Sequence, residues 1–382
     1  MGIYQEKPHY IWLTRTELAG VPEDALSGLE TGTGELDGKL MLDLNGIQAR
    51  WMLTVASSPA TRQNIYLESR RMAKENIPLF HEAIQLRHQS AHLLGYPSHL
   101  AFKVDLTMAK TPSAVTNLLT NLRDLVIRHL PADLSCTSKA LIPQPKTSQI
   151  ARLYFGPISL LYPSMLALFG KLLGFEFIEL TKRDDNSIAE QVEHGLIWQP
   201  NVLLYSVWND SREGGEPAGY LYLDLHPRPG KVGGSQCRPL QLGFSLPSRQ
   251  HRHYPSTVLL TNFTRPSPGK PSLLQHSDVI LLFHELGHGI HDLSGRCTYT
   301  IFHGAETVVD FSEEPSQMLE NWCWDVSALK VLGIMTGVRL RDDVIDSLLR
   351  TRVVLSAVKI MPQLRMTVFD GAVHSEVAGG GD

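Results

Sequence analysis

The stretch LLFHELGHGIHDLSG, residues 281–295, places three histidines and two acids in a run without proline. Within it, His284 and His288 are four residues apart in the pattern HELGH. On an α-helix this offset puts both imidazoles on one face, one turn apart, where they can bind a single metal ion. The apolar run ahead of the motif favours a helix that is partly buried.

Glu285 follows the first of these histidines and is predicted to be the general base. A catalytic zinc takes three protein ligands and a water whose pKa the metal lowers to about 7. A carboxylate at this position can reach that water and accept its proton. The competing interpretation is an amphipathic helix with surface histidines. The bulky apolar residues at 281–283 argue against it, because burying polar side chains that have no partner beside them costs free energy.

A third ligand from the same helix is disfavoured. His291 lies about 10 Å further along the helix axis than His284. A bend like that in HExxHxxGxxH sites would need glycine at His291 and histidine at Ser294. We therefore interpret His291 and Asp292 as residues that support the ligands or the fold without binding the metal.

The segment DFSEEPSQMLENWCWD, residues 310–325, offers carboxylates from a following helix. Its acids are Asp310, Glu313, Glu314, Glu320 and Asp325. Glu313 and Glu320 are seven apart and share a helix face. Each acid could also belong to a solvated helix start, because acids just before a proline suit a helix N-terminus. Spacing alone leaves the third ligand open.

The composition is that of a globular protein. The chain has 382 residues, 43% hydrophobic and 19% charged, with a net charge of −4. This balance gives no electrostatic basis for binding nucleic acid or an anionic membrane. Its four cysteines form no CxxC pair, and we expect free thiols in a reducing compartment. The N-terminus shows no signal peptide pattern, and the most apolar stretch, 160–177, is too interrupted to span a bilayer. We expect a cytoplasmic protein.

The pattern along the chain predicts a mainly α fold with one small β-sheet just before the HELGH helix. Aromatic and β-branched runs at 201–210, 218–231 and 256–264 predict the sheet. Helices are predicted over 273–292, 316–332 and 342–368. We divide the chain into an N-terminal helical part, a linker and a catalytic part, with boundaries 1–130, 131–150 and 151–382.

FHELGHGIHDL followed by DFSEEPSQMLENWCWD resembles the thimet oligopeptidase and oligopeptidase A family of zinc metallopeptidases. In that family the third ligand is a glutamate 25 residues after the second histidine, and Glu313 occupies that position here. The resemblance implies one Zn²⁺ ion bound by His284, His288 and Glu313, with Glu285 as general base. Asp310 and Glu320 become candidates, with His291 and Asp292, to support these ligands from outside the coordination sphere.

Further segments, such as LLGYPSHLAFKVDLTMAKTPSAV and GYLYLDLHPRPGK, are similar to the same family. The resemblance implies a large helical two-lobed fold with a deep channel, acting as a monomeric endopeptidase on short peptides. Family members continue beyond TVFDGAVH into a segment that binds substrate through histidine and tyrosines. The alternative expectation is therefore a truncated, catalytically impaired homologue that binds zinc or peptides without turnover. The residues that bind substrate here are unknown.

Overall fold

The computed structural model of the chain describes residues 9–44, 47–71, 73–140, 154–181, 185–211, 214–246, 251–267, 269, 271–335, 337, 340–353 and 356–375. Helices make up 54% of the structure and accompany a small mixed sheet, which confirms the predicted mainly α fold. The strands are β1 Tyr10–Thr14, β2 Lys39–Asp43, β3 Tyr154–Pro157, β4 Phe175–Glu179, β5 Leu203–Asn209, β6 Pro217–Asp224, β7 Gln236–Gln241, β8 Phe244–Leu246, β9 His251–His253, β10 Ser256–Leu260 and β11 Leu273–Gln275. The helices are α1 Glu23–Leu26, α2 Ile47–Val55, α3 Pro59–Ser69, α4 Ile77–Leu93, α5 His99–Val104, α6 Pro112–Ala140, α7 Ile158–Leu173, α8 Asp185–Glu193, α9 His276–Ser294, α10 Glu314–Glu320, α11 Val326–Met335, α12 Asp342–Val353 and α13 Ser356–His374.

The chain forms two compact units, one of residues 1–99 and 376–382 and the other of residues 100–375. This division differs from the boundaries predicted at 130 and 151. The predicted linker, 131–150, also differs in part, because residues 131–140 continue helix α6. Its remaining residues, 141–150, lie outside the described residues.

Packing on α13 explains why α6 belongs to the second unit. Val126 is buried together with Ala357 and Leu364. The Asp133 carboxylate accepts hydrogen bonds from the backbone N–H groups of Ala357 and Val358, at 2.7 and 3.3 Å. A carboxylate here satisfies free donors of the first turn of α13 and favours its dipole. This tertiary contact outweighs the proline- and serine-rich composition that predicted a linker.

In the first unit, an antiparallel pair of strands packs with α2 and α3. β1 pairs with β2 so that Tyr10 lies opposite Asp43. Ser58 caps α3, its hydroxyl accepting from the Thr61 N–H at 3.2 Å. The core side chains come from both strands and both helices and include Leu13, Leu42, Met52 and Ile65.

In the second unit, a five-stranded sheet has the order β4-β5-β6-β10-β7. The β6–β10 pair is parallel and the other pairs are antiparallel. The three runs predicted as strands correspond to β5, β6 and β10. β7 lies at one edge of this sheet.

Helix α9, which carries the HELGH motif, packs on the sheet. A β-carbon added at Gly289 would lie 3.5 Å from Cys237 Sγ and 3.6 Å from Leu221 and Thr257, on three neighbouring strands. Phe283 is fully buried and meets the Phe169 ring edge-on, with centroids 5.4 Å apart. The apolar side of the helix therefore lies against the core.

A buried ion pair fixes the loop that follows β6. The Lys231 and Asp224 side chains are only 2% and 4% exposed, and Lys231 Nζ lies 2.9 Å from Asp224 Oδ1. Arg228 and Trp198 also donate to this carboxylate. Burial alone would raise the pKa of Asp224, but these donors hold that pKa below its ordinary value. Lys231 also donates to backbone carbonyls of Asp224, His226 and Thr261.

Removing one partner of this pair is expected to destabilise the protein strongly. Lys231→Met leaves the Asp224 charge buried with fewer donors, and we expect a loss of about 3–5 kcal/mol of unfolding free energy. Chemical denaturation measures this quantity. Lys330→Met is the control, because the Lys330–Asp342 pair is 46% and 80% exposed and contributes about 1 kcal/mol or less. Equal losses in the two variants would contradict the assignment of a structural role to Lys231.

Candidate metal centre

Two imidazoles project from one face of α9, one turn apart. The rings of His284 and His288 meet edge-on, with centroids 4.9 Å apart and planes at 86°. Their side chains are 24% and 15% exposed. The helix thus presents both rings at a surface that solvent reaches, while its opposite side is buried.

The Glu313 carboxylate meets this pair from the residue preceding α10. Its Oε2 lies 3.4 Å from His284 Nε2 and 3.2 Å from His288 Nε2. One ligand atom from each residue lies within 4.8 Å of the others, and the described part of the chain contains no second trio of this kind. The carboxylate that this structure adds to the histidine pair is therefore Glu313.

Close contact between α9 and α10 brings Glu313 to the histidines. A β-carbon added at Gly287 would lie 2.6 Å from Ser316 Cα, so only glycine permits the two backbones to approach this closely. The Ser316 side chain is buried, and its hydroxyl donates to the Glu313 carbonyl oxygen at 2.8 Å. Gly287, located between the two histidines, thus sets the distance from α9 to the Glu313 carboxylate.

Glu320, at the other end of α10, orients His284. Its Oε1 lies 2.7 Å from His284 Nδ1. A carboxylate can only accept, so Nδ1 carries the proton and the Nε2 lone pair is directed to Glu313 and His288. One short helix therefore contacts the His284 ring from both sides.

Glu285 is buried between α9 and the edge of the sheet, with 6% exposure. The backbone N–H of Cys237, on β7, donates to its carboxylate. Burial, the largest influence, raises the pKa of Glu285, while the neighbouring His284 and this donor oppose the rise. The carboxylate is thus held in place next to the histidine pair.

His291 and Asp292 lie outside the trio of ligand atoms. The His291 ring is 6.2 Å from the Phe311 ring, and burial lowers the pKa of His291. Asp292 is 2% exposed and contacts the Thr257 hydroxyl and the backbone N–H of Ala305. Burial raises its pKa to about 6. Asp292 therefore joins α9 to strand β10 and to the loop beyond the helix.

Asp310 binds a turn of the chain that lies far away in sequence. Its carboxylate oxygens accept from the backbone N–H groups of Met108 and Ala109, each at 3.1 Å. Lys110, next in this turn, has a positive φ of 62°. Asp310 also contacts the Thr107 side chain, and it thus fixes the segment that leads into Glu313.

Two contributors to this site, Gly287 and the Cys237 N–H, are missed by reasoning from the sequence. In the sequence, Gly287 is only a glycine that the predicted helix tolerates. A glycine between two candidate ligands could have signalled close backbone approach. A backbone N–H donor such as that of Cys237 cannot be predicted from the type of residue that carries it.

Known proteins are similar to this chain over most of its length. The chain matches peptidase family M3 over residues 52–141 and 154–381. It belongs to peptidase family M3. As an M3 peptidase it is 30% identical to saccharolysin of Saccharomyces cerevisiae over 97% of its length and 56% of the relative's. It is also 30% identical to oligopeptidase A of Escherichia coli, over 94% of its length and 56% of the relative's, and to a probable thimet oligopeptidase of Arabidopsis thaliana, over 96% and 53%.

This M3 chain therefore spans about half the length of the curated relatives that it matches. The predicted resemblance to the family is confirmed. Within the described ranges, no helix is both long and apolar enough to cross a membrane.

Replacing Gly287 by alanine is expected to weaken metal binding. The added methyl group would press on Ser316 backbone atoms and displace α10 together with Glu313 and Glu320. We expect zinc affinity, measured by chelator competition, to fall by about tenfold or more, although alanine favours the helix itself. Gly289→Ala is the matched control, because its methyl group meets only ordinary contacts. Unchanged affinity in Gly287→Ala would show that this approach does not position the ligands.

Asp292 is expected to make stability depend on pH. Its pKa is about 6 in the folded protein and 3.8 as an ordinary value, so the folded state loses relative stability as this carboxyl ionises. The unfolding free energy of Asp292→Asn minus that of wild type should therefore be about 2 kcal/mol larger at pH 7.5 than at pH 4.5. Asp310→Asn, whose lowered pKa lies below this range, should show a constant difference. Parallel pH profiles for wild type and Asp292→Asn would refute the assignment.

Proposed function

We propose that this M3 family chain is a zinc-dependent endopeptidase that hydrolyses short peptides. The observation that carries the proposal is the convergence of His284, His288 and Glu313 beside the buried carboxylate of Glu285. The family supports peptide hydrolysis by a metallopeptidase. Zinc and the individual roles of the residues are the additional parts of the proposal.

The donor set fits zinc. Two imidazole nitrogens and one carboxylate oxygen are the ligands of catalytic zinc sites of the His₂Glu type. Their three atoms lie within 4.8 Å of one another, and Glu320 leaves His284 Nε2 free to bind. A Zn²⁺ ion held there would supply Lewis acidity toward a water molecule and a peptide carbonyl.

Glu285 moves the proton in the proposed reaction. It follows the ligand His284 in the chain, and the Cys237 N–H holds its carboxylate on the sheet side of the site. It accepts a proton from the attacking water and passes it to the departing amine nitrogen. Burial that raises the pKa of this carboxyl favours the first transfer, because a carboxylate with a raised pKa is a stronger base toward the proton of the water.

The remaining predicted residues act through their neighbours. Glu320 fixes the tautomer and orientation of His284. Asp310 holds the segment before Glu313, and Asp292 holds α9 to β10. His291 packs beside Phe311 near the start of α10. We assign none of these four residues to the metal.

We assign short peptides as the substrate class because the relatives include proteins named oligopeptidase A and thimet oligopeptidase. The same names support an endopeptidase or oligopeptidase activity without indicating a sequence preference. Because the chain spans about half of these relatives, activity of this chain on peptides is itself the quantity to be tested.

Glu285→Gln tests the mechanism. The amide keeps the size and polarity of the side chain but cannot accept the proton, so we expect cleavage of quenched fluorescent peptides to fall by about 10²–10⁴-fold. Zinc content, measured by elemental analysis, should remain that of the wild type. Glu314→Gln is the control, because it changes an exposed acid next to Glu313 and should retain activity within a fewfold.

Two results would change the proposal. Wild-type rates in Glu285→Gln would remove the general base from the mechanism. Stoichiometric zinc in the wild-type chain without cleavage of any peptide in a broad mixture would favour the alternative of a metal- or peptide-binding protein without turnover.

A further inference from the structure

A second pair of histidines repeats the local pattern of the metal centre. The sequence contains two histidine pairs with a spacing of four, His284 with His288 and His88 with His92. The second pair lies near the end of α4, in the first unit of the chain. His92 is exposed and His88 half-buried, so both rings are accessible to a dissolved ion.

The two rings of this second pair are already arranged to share one ion. Their Nε2 atoms are 2.8 Å apart. The rings meet edge-on at 83° with centroids 4.3 Å apart, and the corresponding values for His284 and His288 are 86° and 4.9 Å. We propose that His88 and His92 form a surface site for a divalent first-row transition metal, with Cu²⁺ and Ni²⁺ preferred over Zn²⁺.

The distance between the two nitrogens favours this order of metals. Two nitrogens at about 2.0 Å from a metal are about 2.8 Å apart when they bind at 90°, as in tetragonal Cu²⁺ or Ni²⁺ sites. At the tetrahedral angle of zinc sites they are about 3.3 Å apart. The 2.8 Å separation of His88 and His92 is that of their hydrogen bond, so the two nitrogens need little movement to adopt the first arrangement. The Irving–Williams order also places Cu²⁺ first for nitrogen ligands.

The helix provides a rigid base for the pair. Ala91, between the two histidines, is fully buried, which ties this end of α4 to the protein interior. In the metal-free pair one ring donates its Nε2–H to the other ring. On binding, the ring that donated its Nε2–H exchanges this proton with solvent for one on Nδ1, so that both rings carry their proton on Nδ1 and both Nε2 lone pairs face the metal. Water molecules complete the coordination, because the second pair has two protein ligands where the first has three.

Copper titration tests the proposal in a background that lacks the first pair. In the full chain carrying His284→Ala and His288→Ala, we expect Cu²⁺ to give an axial electron paramagnetic resonance spectrum with hyperfine coupling to two nitrogens. Adding His88→Ala or His92→Ala should lower the copper affinity by about tenfold or more and remove this spectrum. His81→Ala, on the same helix, is the matched control and should change neither.

A second readout uses the catalytically intact chain. His92→Gln should abolish the rise in melting temperature that Ni²⁺ causes in zinc-loaded wild type, because only the folded helix presents both rings. Peptide cleavage by zinc-loaded His92→Gln should match the wild type, so failure of this site and failure of the proposed peptidase are separate outcomes. Copper affinity and spectra that are the same with and without His88 and His92 would overturn the proposal.

Discussion

The close contact between α9 and α10 is the constraint on which the candidate site depends. Helix α9 supplies two imidazoles through its own periodicity, but the third group, the Glu313 carboxylate, comes from a different element. Gly287 lets the Ser316 backbone approach to a distance that any side chain would block. Ser316 in turn donates to the Glu313 carbonyl oxygen. The geometry of the proposed metal site is therefore a property of a helix interface, set by a residue that is not itself one of the proposed ligands.

Helix α10 has only seven residues, and a helix of this length is not stable alone in water. It nevertheless positions two carboxylates, Glu313 at its start and Glu320 at its end, on either side of the His284 ring. Packing against α9 stabilises the helix and orients both carboxylates in one step. Any change that moves α10 as a body consequently alters the ligand and the orientation of His284 together.

Local signals allowed much of this structure to be predicted from the sequence. The spacing of His284 and His288 predicts their common face, and aromatic and β-branched runs predict β5, β6 and β10. Which acid of 310–325 joins the two histidines depends on a tertiary contact. Spacing does not identify it, and before the structure only the family resemblance indicates Glu313. The helix over residues 131–140 depends on the contact of Asp133 with α13, which composition cannot reveal. Asp310 likewise contacts backbone amides that are about 200 residues away in the sequence, and no pattern of residue spacing predicts such a contact.

The two histidine pairs show which features of the candidate site come from a single helix and which come from the tertiary fold. Both pairs hold their rings edge-on one turn apart, because the helix alone dictates that geometry. Only His284 and His288 meet a carboxylate from a second helix and a buried carboxylate, Glu285, on the sheet side. A pair without these additions can hold an ion but has no base to move a proton. The hydrolytic chemistry proposed for this chain thus depends on the helix interface in addition to the histidine motif.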